Sequence, residues 1–418
     1  MDLRAEALAL FGAAVAAADP AGALRAAWAA HPPAPPAQGG AWVVVAVGKA
    51  ALPMAGAALD LLAGQPVRAL VVTNYENARP LPGATVMAAG HPVPDANGDM
   101  AGRSVAALLE GAGAADRVVA LISGGGSALL PAPAPGLSLA DKAEVNRLLL
   151  AHGFEITEIN LIRQQLSRLK GGGFLRLAAP APVTAYILSD VIGDELRTIA
   201  SGPTVAPLGS RADARRLLEA RGVWTALPEP VRIHLSAPEP AQAPLPAADN
   251  LLMGSNRKSL EAIEKASQTA ATRIVSDRLT GDVADAAEAI LRAGEDAGPG
   301  PACLIFGGET TVTLRGKGKG GRNQELALRL ALAAPARLDR RFVFLSGGTD
   351  GRDGPTEAAG GIVDETSAAR MVAAGVDPVA FLADNDSNRA LAASGDLLMV
   401  GATGTNVADV QILLLAAR

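Results

Sequence analysis

What the chain has little of narrows it before anything it contains. Only 3% of its 418 residues are aromatic, although 49% are hydrophobic. The apolar content is therefore largely Ala, Leu and Val, residues that fill helices and parallel strands. A single cysteine, Cys303, excludes an internal disulfide and suits a reducing cytoplasm. It lies in an apolar stretch and reads as an inert core residue. The four histidines, His31, His91, His152 and His234, are scattered without metal-ligand spacing. A net charge of −5, with no Lys/Arg run, argues against a nucleic-acid surface. No uncharged apolar run reaches the roughly 18 residues of a membrane span. The N-terminal stretch, with Asp2, Arg4 and Glu6, lacks the basic and apolar regions of a signal peptide. The phosphate-binding pattern GxxxxGK[ST] is absent, and Gly48 is not followed by the glycine spacing of a dinucleotide fingerprint.

What is there is a recurring junction. In RVVALISGGGSALL, Arg117 to Leu130, an apolar strand stops on Ser123, Gly124, Gly125, Gly126 and Ser127. Three consecutive glycines let the backbone curl so that N–H groups converge on an anion, and a following helix adds positive potential. Strands ACLIFGGET (Ala302 to Thr310) and RFVFLSGGTDGRD (Arg341 to Asp353) repeat the pattern, and WVVVAVGK ends its strand on Gly48 and Lys49. Ligands of open α/β sheets bind beyond the carboxyl ends of the strands. Four such ends fit one site assembled from several loops, with tight strand-to-helix turns as the plainer explanation.

The rest of the chain is read around these junctions. Residues 3 to 29 are predicted helical, and HPPAPPAQGG is a loop. Strands are expected at 42–47, 67–73, 85–89, 118–122, 184–188, 250–253, 273–275, 302–306, 342–345, 397–400 and 407–415. GHPVPDANG is a loop holding His91 and Asp95, with a helix from about Met100. A helix over Glu158 to Gly173 carries Arg163, Arg168 and Lys170 toward its end, which suits the helix dipole or faces an anionic substrate. In SDVIGDELRTIASGPT, Asp190 and Asp194 follow a strand. Such carboxylates hold Mg²⁺, accept a hydroxyl proton, or form an Asx turn and an N-cap. The Pro/Ala-rich stretch 226–248 reads as a boundary or hinge-like linker. LRGKGKGGRNQELALRLAL is a basic loop feeding a helix near Asn323. Lys319 and Arg322 before that helix oppose its dipole, which suggests an anion nearby.

GHPVPDANG, LISGGGSALL, LSDVIGDELRTIASGPT, FGGETTVTLRGKGKGGRNQE, SGGTDGRDGPTEAAG and GATGTNVADV, in one order, resemble the type II glycerate kinases. Members were once labelled hydroxypyruvate reductases, and their carboxyl-terminal half is called MOFRL. The resemblance spans nearly the whole chain. It implies an α/β fold of two domains, 1–240 and 249–418. The first is a Rossmann-like three-layer αβα sandwich and the second a smaller MOFRL-type mixed-sheet domain, with the active site in the cleft between them. It further implies ATP- and Mg²⁺-dependent phosphorylation of D-glycerate at the 2-hydroxyl, in a cytoplasmic monomer or homodimer. The family's phosphate-facing cations fall on Lys49 and Arg322.

Phosphoryl transfer needs positioning and charge neutralisation more than covalent help. Lys49 and Arg322 are candidates for the anions, and Ser123 to Ser127 for the cradle. Asp190 is the candidate to orient or deprotonate the hydroxyl and, with Asp194, to hold Mg²⁺. Glu309 is a further metal candidate. Thr349, Asp350 and Gly351, with Asp353, add substrate or metal contacts. A kinase of a related hydroxy acid such as tartronate and an NAD(P)H-dependent hydroxypyruvate reductase are the alternatives, and the missing dinucleotide fingerprint counts against the second. A non-catalytic anion sensor leaves Asp190 and Asp350 without a role.

Overall fold

The structure, a computed structural model, describes residues 2–239 and 243–418. It divides into two compact units. One is Pro20–Met253, and the other joins the residues up to Asp19 to Gly254–Arg418.

The first unit is built on a six-stranded sheet. Its strands are β1 (Trp42–Val47), β2 (Val67–Asn74), β3 (Thr85–Ala89), β4 (Arg117–Ile122), β5 (Val183–Leu188) and β6 (Ala248–Gly254). Their order is β3-β2-β1-β4-β5-β6, and β1 to β5 are parallel neighbours. β1 is buried along its whole length, as Val-rich strands covered on both faces must be. Val43, Val45, Val72, Val118, Ala120 and Ile187 enter one core with Val105, Leu109 and Phe174 of neighbouring helices. The strand order reverses between β1 and β4. At such a switch point the connections leave to opposite sides, and a crevice opens at the carboxyl ends of the two strands. Those ends are Gly48-Lys49 and Ser123-Gly124.

The second unit has a mixed sheet of six strands: β7 (Ala271–Asp282), β8 (Ala302–Thr311), β9 (Phe342–Gly348), β10 (Gly360–Asp364), β11 (Leu397–Leu398) and β12 (Asp409–Leu415). The order is β11-β10-β9-β12-β8-β7. Only β7 and β8 run parallel, and the other pairings are antiparallel. The helix Leu3–Ala17 belongs here because Ala7, Leu10, Phe11 and Ala14 form an apolar face. That face packs with Leu260, Ile305, Leu345 and Ile412, while Arg4 pairs with Asp364 and Asp396. Cys303 is buried in the same core, and burial pushes its thiol up to about 11.

Several sequence expectations change. The expected domain range 1–240 did not foresee that the first helix joins the second unit, and its end at Pro240 lies outside the described residues. The helix expected from Met100 starts at Ala96, because Asp95 caps it by accepting from the Gly98 N–H. The helix expected over Glu158 to Gly173 ends at Gln165, and a separate one spans Gly173–Ala178. The Pro-rich 226–248 stretch contains a helix, Glu229–Ser236, because proline suits a first turn and Val231 and Leu235 find a core. β10 is an unexpected strand. Its Gly360 and Gly361 look like turn residues, but side chains there would strike Ser346 O and Ala327. Among the described residues no single helix is long and apolar enough to cross a membrane.

Candidate active site

Of the four strands, three end on their glycines and β8 does not. Gly307 and Gly308 lie inside β8, and Gly347 and Gly348 are the last two residues of β9, with a turn beyond. A Cβ on Gly307 would sit 2.1 Å from Asn256 Oδ1, and one on Gly347 would sit 2.9 Å from the Phe11 ring. Gly307, Gly308 and Gly347 admit packed neighbours, so the reading of the β8 pair as a strand-end loop is corrected, while Gly348 faces Arg352 O of the turn that follows β9. The glycines after β1 and β4 do form turns beyond their strands.

Those two turns are clipped together. Ser123, buried, accepts from the Ala50 N–H at 3.1 Å through its hydroxyl, which also lies 3.3 Å from the Val47 carbonyl. The Lys49 N–H donates to Gly124 O at 2.9 Å, and Asn77 Nδ2 donates to Lys49 O at 2.9 Å. Lys49 is thereby fixed at its backbone while its ammonium makes no ion pair among the described residues. Gly48, at φ +123°, allows the approach, since a Cβ there would lie 2.1 Å from Ser123 Oγ.

The glycines of the β4 loop each face a different chemical group. A Cβ on Gly124 would stand 2.0 Å from Asp190 Oδ2. One on Gly125, which has φ +82°, would stand 3.3 Å from Lys49 Cγ and 3.0 Å from His91 Cδ2. Burial, then the charge of Lys49, holds His91 below its ordinary value, so the ring is neutral near pH 7. Ser127 Oγ lies 2.8 Å from Ser201 Oγ, which donates to Asn160 Oδ1 at 2.9 Å. The only proton left for the first contact is that of Ser127. The segment after β5 carries positive φ at Asp194 (56°), Ala200 (49°) and Ser201 (60°). Non-glycine residues adopt that region at a cost, and such strain gathers at functional sites. Nothing in the sequence announces it.

Lys49, Asp190 and Ser123 to Ser127 are thus brought together at one switch point. Asp194 lies in the same β5 turn, its N–H donating to Val191 O. Among the described residues no three His, Cys, Asp or Glu side chains gather into a group able to hold a metal.

The second unit places its candidates differently. Arg322 opens the helix Arg322–Arg337. It is clamped by Glu309 at 2.7 Å and by the buried Asp409, which takes both Nε and Nη2. The anion expected near this cation is therefore the protein's own. The bidentate pair raises the guanidinium above its ordinary value. Burial pushes Asp409 up to about 6, against the pull of Arg322 and Asn323. Glu309 as a metal ligand gives way to this ion pair. Thr349 is fully buried, with its hydroxyl donating to Ala408 O and accepting from the Val407 N–H. It ties a turn instead of facing a ligand. Gly351, at φ +83°, would put a Cβ 1.8 Å from Gly401 O. Asp350 accepts from the Arg352 N–H. Asp353 accepts from the Asn323 and Gln324 N–H groups and so caps the Arg322 helix from a distance. Asp409 was missed because it reads as the first polar residue of an apolar strand.

With this geometry in hand, comparison with known proteins is direct. Residues 6–236 match the family model described as a domain of unknown function, DUF4147, and residues 302–409 match the MOFRL family. Glycerate 2-kinase of Pyrococcus horikoshii is 38% identical over 100% of this chain and 98% of its own length. D-glycerate 2-kinase of Thermotoga maritima is 40% identical over 89% of this chain and 90% of its own. The crystal structure of glycerate kinase from Thermotoga maritima superposes with a TM-score of 0.91 at 37% identity, covering 99% of each chain.

Proposed function

The chain belongs to the type II glycerate kinase family, and on that footing we propose that it transfers the γ-phosphoryl group of ATP to the 2-hydroxyl of D-glycerate, giving 2-phosphoglycerate and ADP. One observation carries the reading at the level of residues. Consecutive loop glycines hold a carboxylate, Asp190, and an ion-pair-free cation, Lys49, beside the same turn at the β1/β4 switch point.

In this reading Asp190 accepts the proton of the substrate hydroxyl. The freed oxygen forms a bond to the γ-phosphorus, and the bond from phosphorus to the ADP oxygen breaks. Lys49 offsets charge on the transferring group, where a fixed cation is worth more than in water. The β4 loop supplies the close backbone approach that phosphate oxygens need, because its glycines place no Cβ in the way. Mg²⁺ fits Asp190 and Asp194 only as a partial set, since this ion keeps waters and shares its shell with nucleotide oxygens. When bound it neutralises phosphate charge.

The test is ADP release from ATP, Mg²⁺ and D-glycerate, with the product presented to enolase and a parallel tube of NADH and hydroxypyruvate. Direct consumption by enolase supports the 2-kinase. Failure to release ADP across a panel of hydroxy acids rejects the reading, and NADH oxidation in its place would favour the reductase.

A further inference from the structure

Beside the glycine loop lies a cavity of about 330 Å³ in the first unit, into which Lys142, Arg163 and Lys170 all face. No aspartate or glutamate lines it, and none of the three cations makes a salt bridge among the described residues. They come from two helices and the turn after them: Leu139–Ala151, Ile156–Gln165 and residues 166–172. Lys170 is only 5% exposed and donates to Ser127 O at 2.8 Å and Leu130 O at 3.1 Å. Lys142 donates to Pro131 O, and Arg163 Nε to Asn146 Oδ1 at 3.1 Å. An ammonium has three donors and a guanidinium five, so each cation keeps capacity beyond these bonds. Asp99, the one acid whose charge bears on Lys142, is itself paired with Arg103 at 2.7 Å.

Three neighbouring cations without counter-charge are costly in the interior. Burial and then repulsion from neighbouring cations bring Lys142 down to about 7 and hold Lys170 well below its ordinary value, and burial lowers Arg163. A core has no need of such a group, whereas an entering anion relieves it. The bonds to Ser127, Leu130 and Pro131 also tie the cluster to the loop that carries the site.

We propose that this cavity is the carboxylate subsite for the hydroxy-acid substrate, held by Lys142, Arg163 and Lys170. The proposal rests on the kinase reading for the identity of the acid. Size favours a small acid over a nucleotide, because ligand pockets span roughly 300–1,000 Å³ and this one is at the bottom of that range. Its walls, such as Pro92, Val93 and Val145, include no Phe, Tyr or Trp ring, and the one ring among them is the His91 imidazole, which also titrates beside the three cations. Gly125 and Ser127 line it, so an acid anchored there lies next to the loop that holds Lys49 and Asp190.

Calorimetry with D-glycerate alone, without nucleotide, tests the cavity independently of turnover. Lys142→Met and Arg163→Gln are expected to weaken D-glycerate at least tenfold while ADP affinity stays within twofold. Arg147→Gln, on the same helix but paired outward with Glu144, is the control and should bind as wild type. Melting curves establish that each variant is folded. Near pH 7 wild-type binding should take up protons, seen as a buffer-dependent enthalpy, and Lys142→Met should reduce that uptake. D-glycerate affinity unchanged in both folded variants would overturn the assignment, as would loss of ADP affinity instead. Weakened D-glycerate binding in a protein that releases no ADP would keep the subsite and reject the kinase. Normal turnover with an unchanged D-glycerate KM in both variants would do the reverse.

Discussion

Gly124 and Asp190 stand so close that a single methyl group on the first would lie 2.0 Å from Oδ2 of the second. The absence of a side chain on β4's loop is what lets the carboxylate following β5 reach the switch point. Gly124→Ala must push Asp190 away, while the surrounding core of β1, β4 and β5 is untouched. A misplacement of about 1 Å at a reacting group costs on the order of 100-fold in rate. We expect kcat for glycerate phosphorylation to fall by about that factor with only a small change in melting temperature. Equal turnover in the variant would remove Asp190 from the chemistry.

Lys49 makes the complementary case. Its backbone is pinned by Gly124 and Asn77, so shortening the side chain leaves the turn in place. Lys49→Ala is expected to lower kcat/KM on the order of 100- to 1,000-fold, as removal of a fixed charge aimed at a transition state does. Denaturant unfolding should show stability close to wild type. A large loss of stability with catalysis retained per folded molecule would make Lys49 a structural residue.

Thr349 separates what was legible in the sequence from what was not. SGGTDG and SGGGS look alike on the page, yet one threonine ties β9's turn to Ala408 and Val407 while the other loop faces charged groups. Every strand but β10, the first sheet's parallel class and the grouping of Lys49 with Ser123 to Ser127 were readable, because apolar runs that stop at glycines report buried strands with turns beyond them. Gly307 and Gly308 of β8 were misread, and Gly347 of β9 serves packing too, because a glycine needed for close packing and one needed for a turn are the same letter. Only the partners, Asn256, Leu279 and Phe11, decide between them. The capping role of Asp353 and the clamp of Asp409 on Arg322 join residues 29 to 87 positions apart, a distance no local pattern spans.

It follows that Thr349→Val should act on stability. The substitution keeps shape and the bond from the Thr349 N–H to Ala408 O, but it leaves the Val407 N–H without its partner in the interior, which costs about 1–3 kcal/mol. Urea unfolding is the measurement, with KM for both substrates expected near wild type in the folded fraction. A raised KM without loss of stability would return Thr349 to the list of ligand contacts.

Asp409 gives a prediction in pH. Its carboxyl titrates at about 6 when folded, against an ordinary value of 3.8, because burial outweighs the pull of Arg322. Between those values the folded chain holds a proton that the unfolded chain has released. The slope of unfolding free energy with pH follows protons bound by the unfolded minus the folded state, and is therefore negative here. This group's stabilising contribution is complete below about 3.8 and is lost as pH rises through about 6. Other carboxylates pull the opposite way, as Asp364 does beside Arg370 and Arg4, so total stability will not display it. The difference between wild type and Asp409→Asn will, because the amide does not titrate. Wild type should gain most over the variant near pH 4, and the margin should shrink steadily to pH 6 and then level off. Unfolding curves whose difference stays constant from pH 4 to 7 would mean that Arg322 keeps Asp409 ionised throughout, and that the ion pair outweighs its burial.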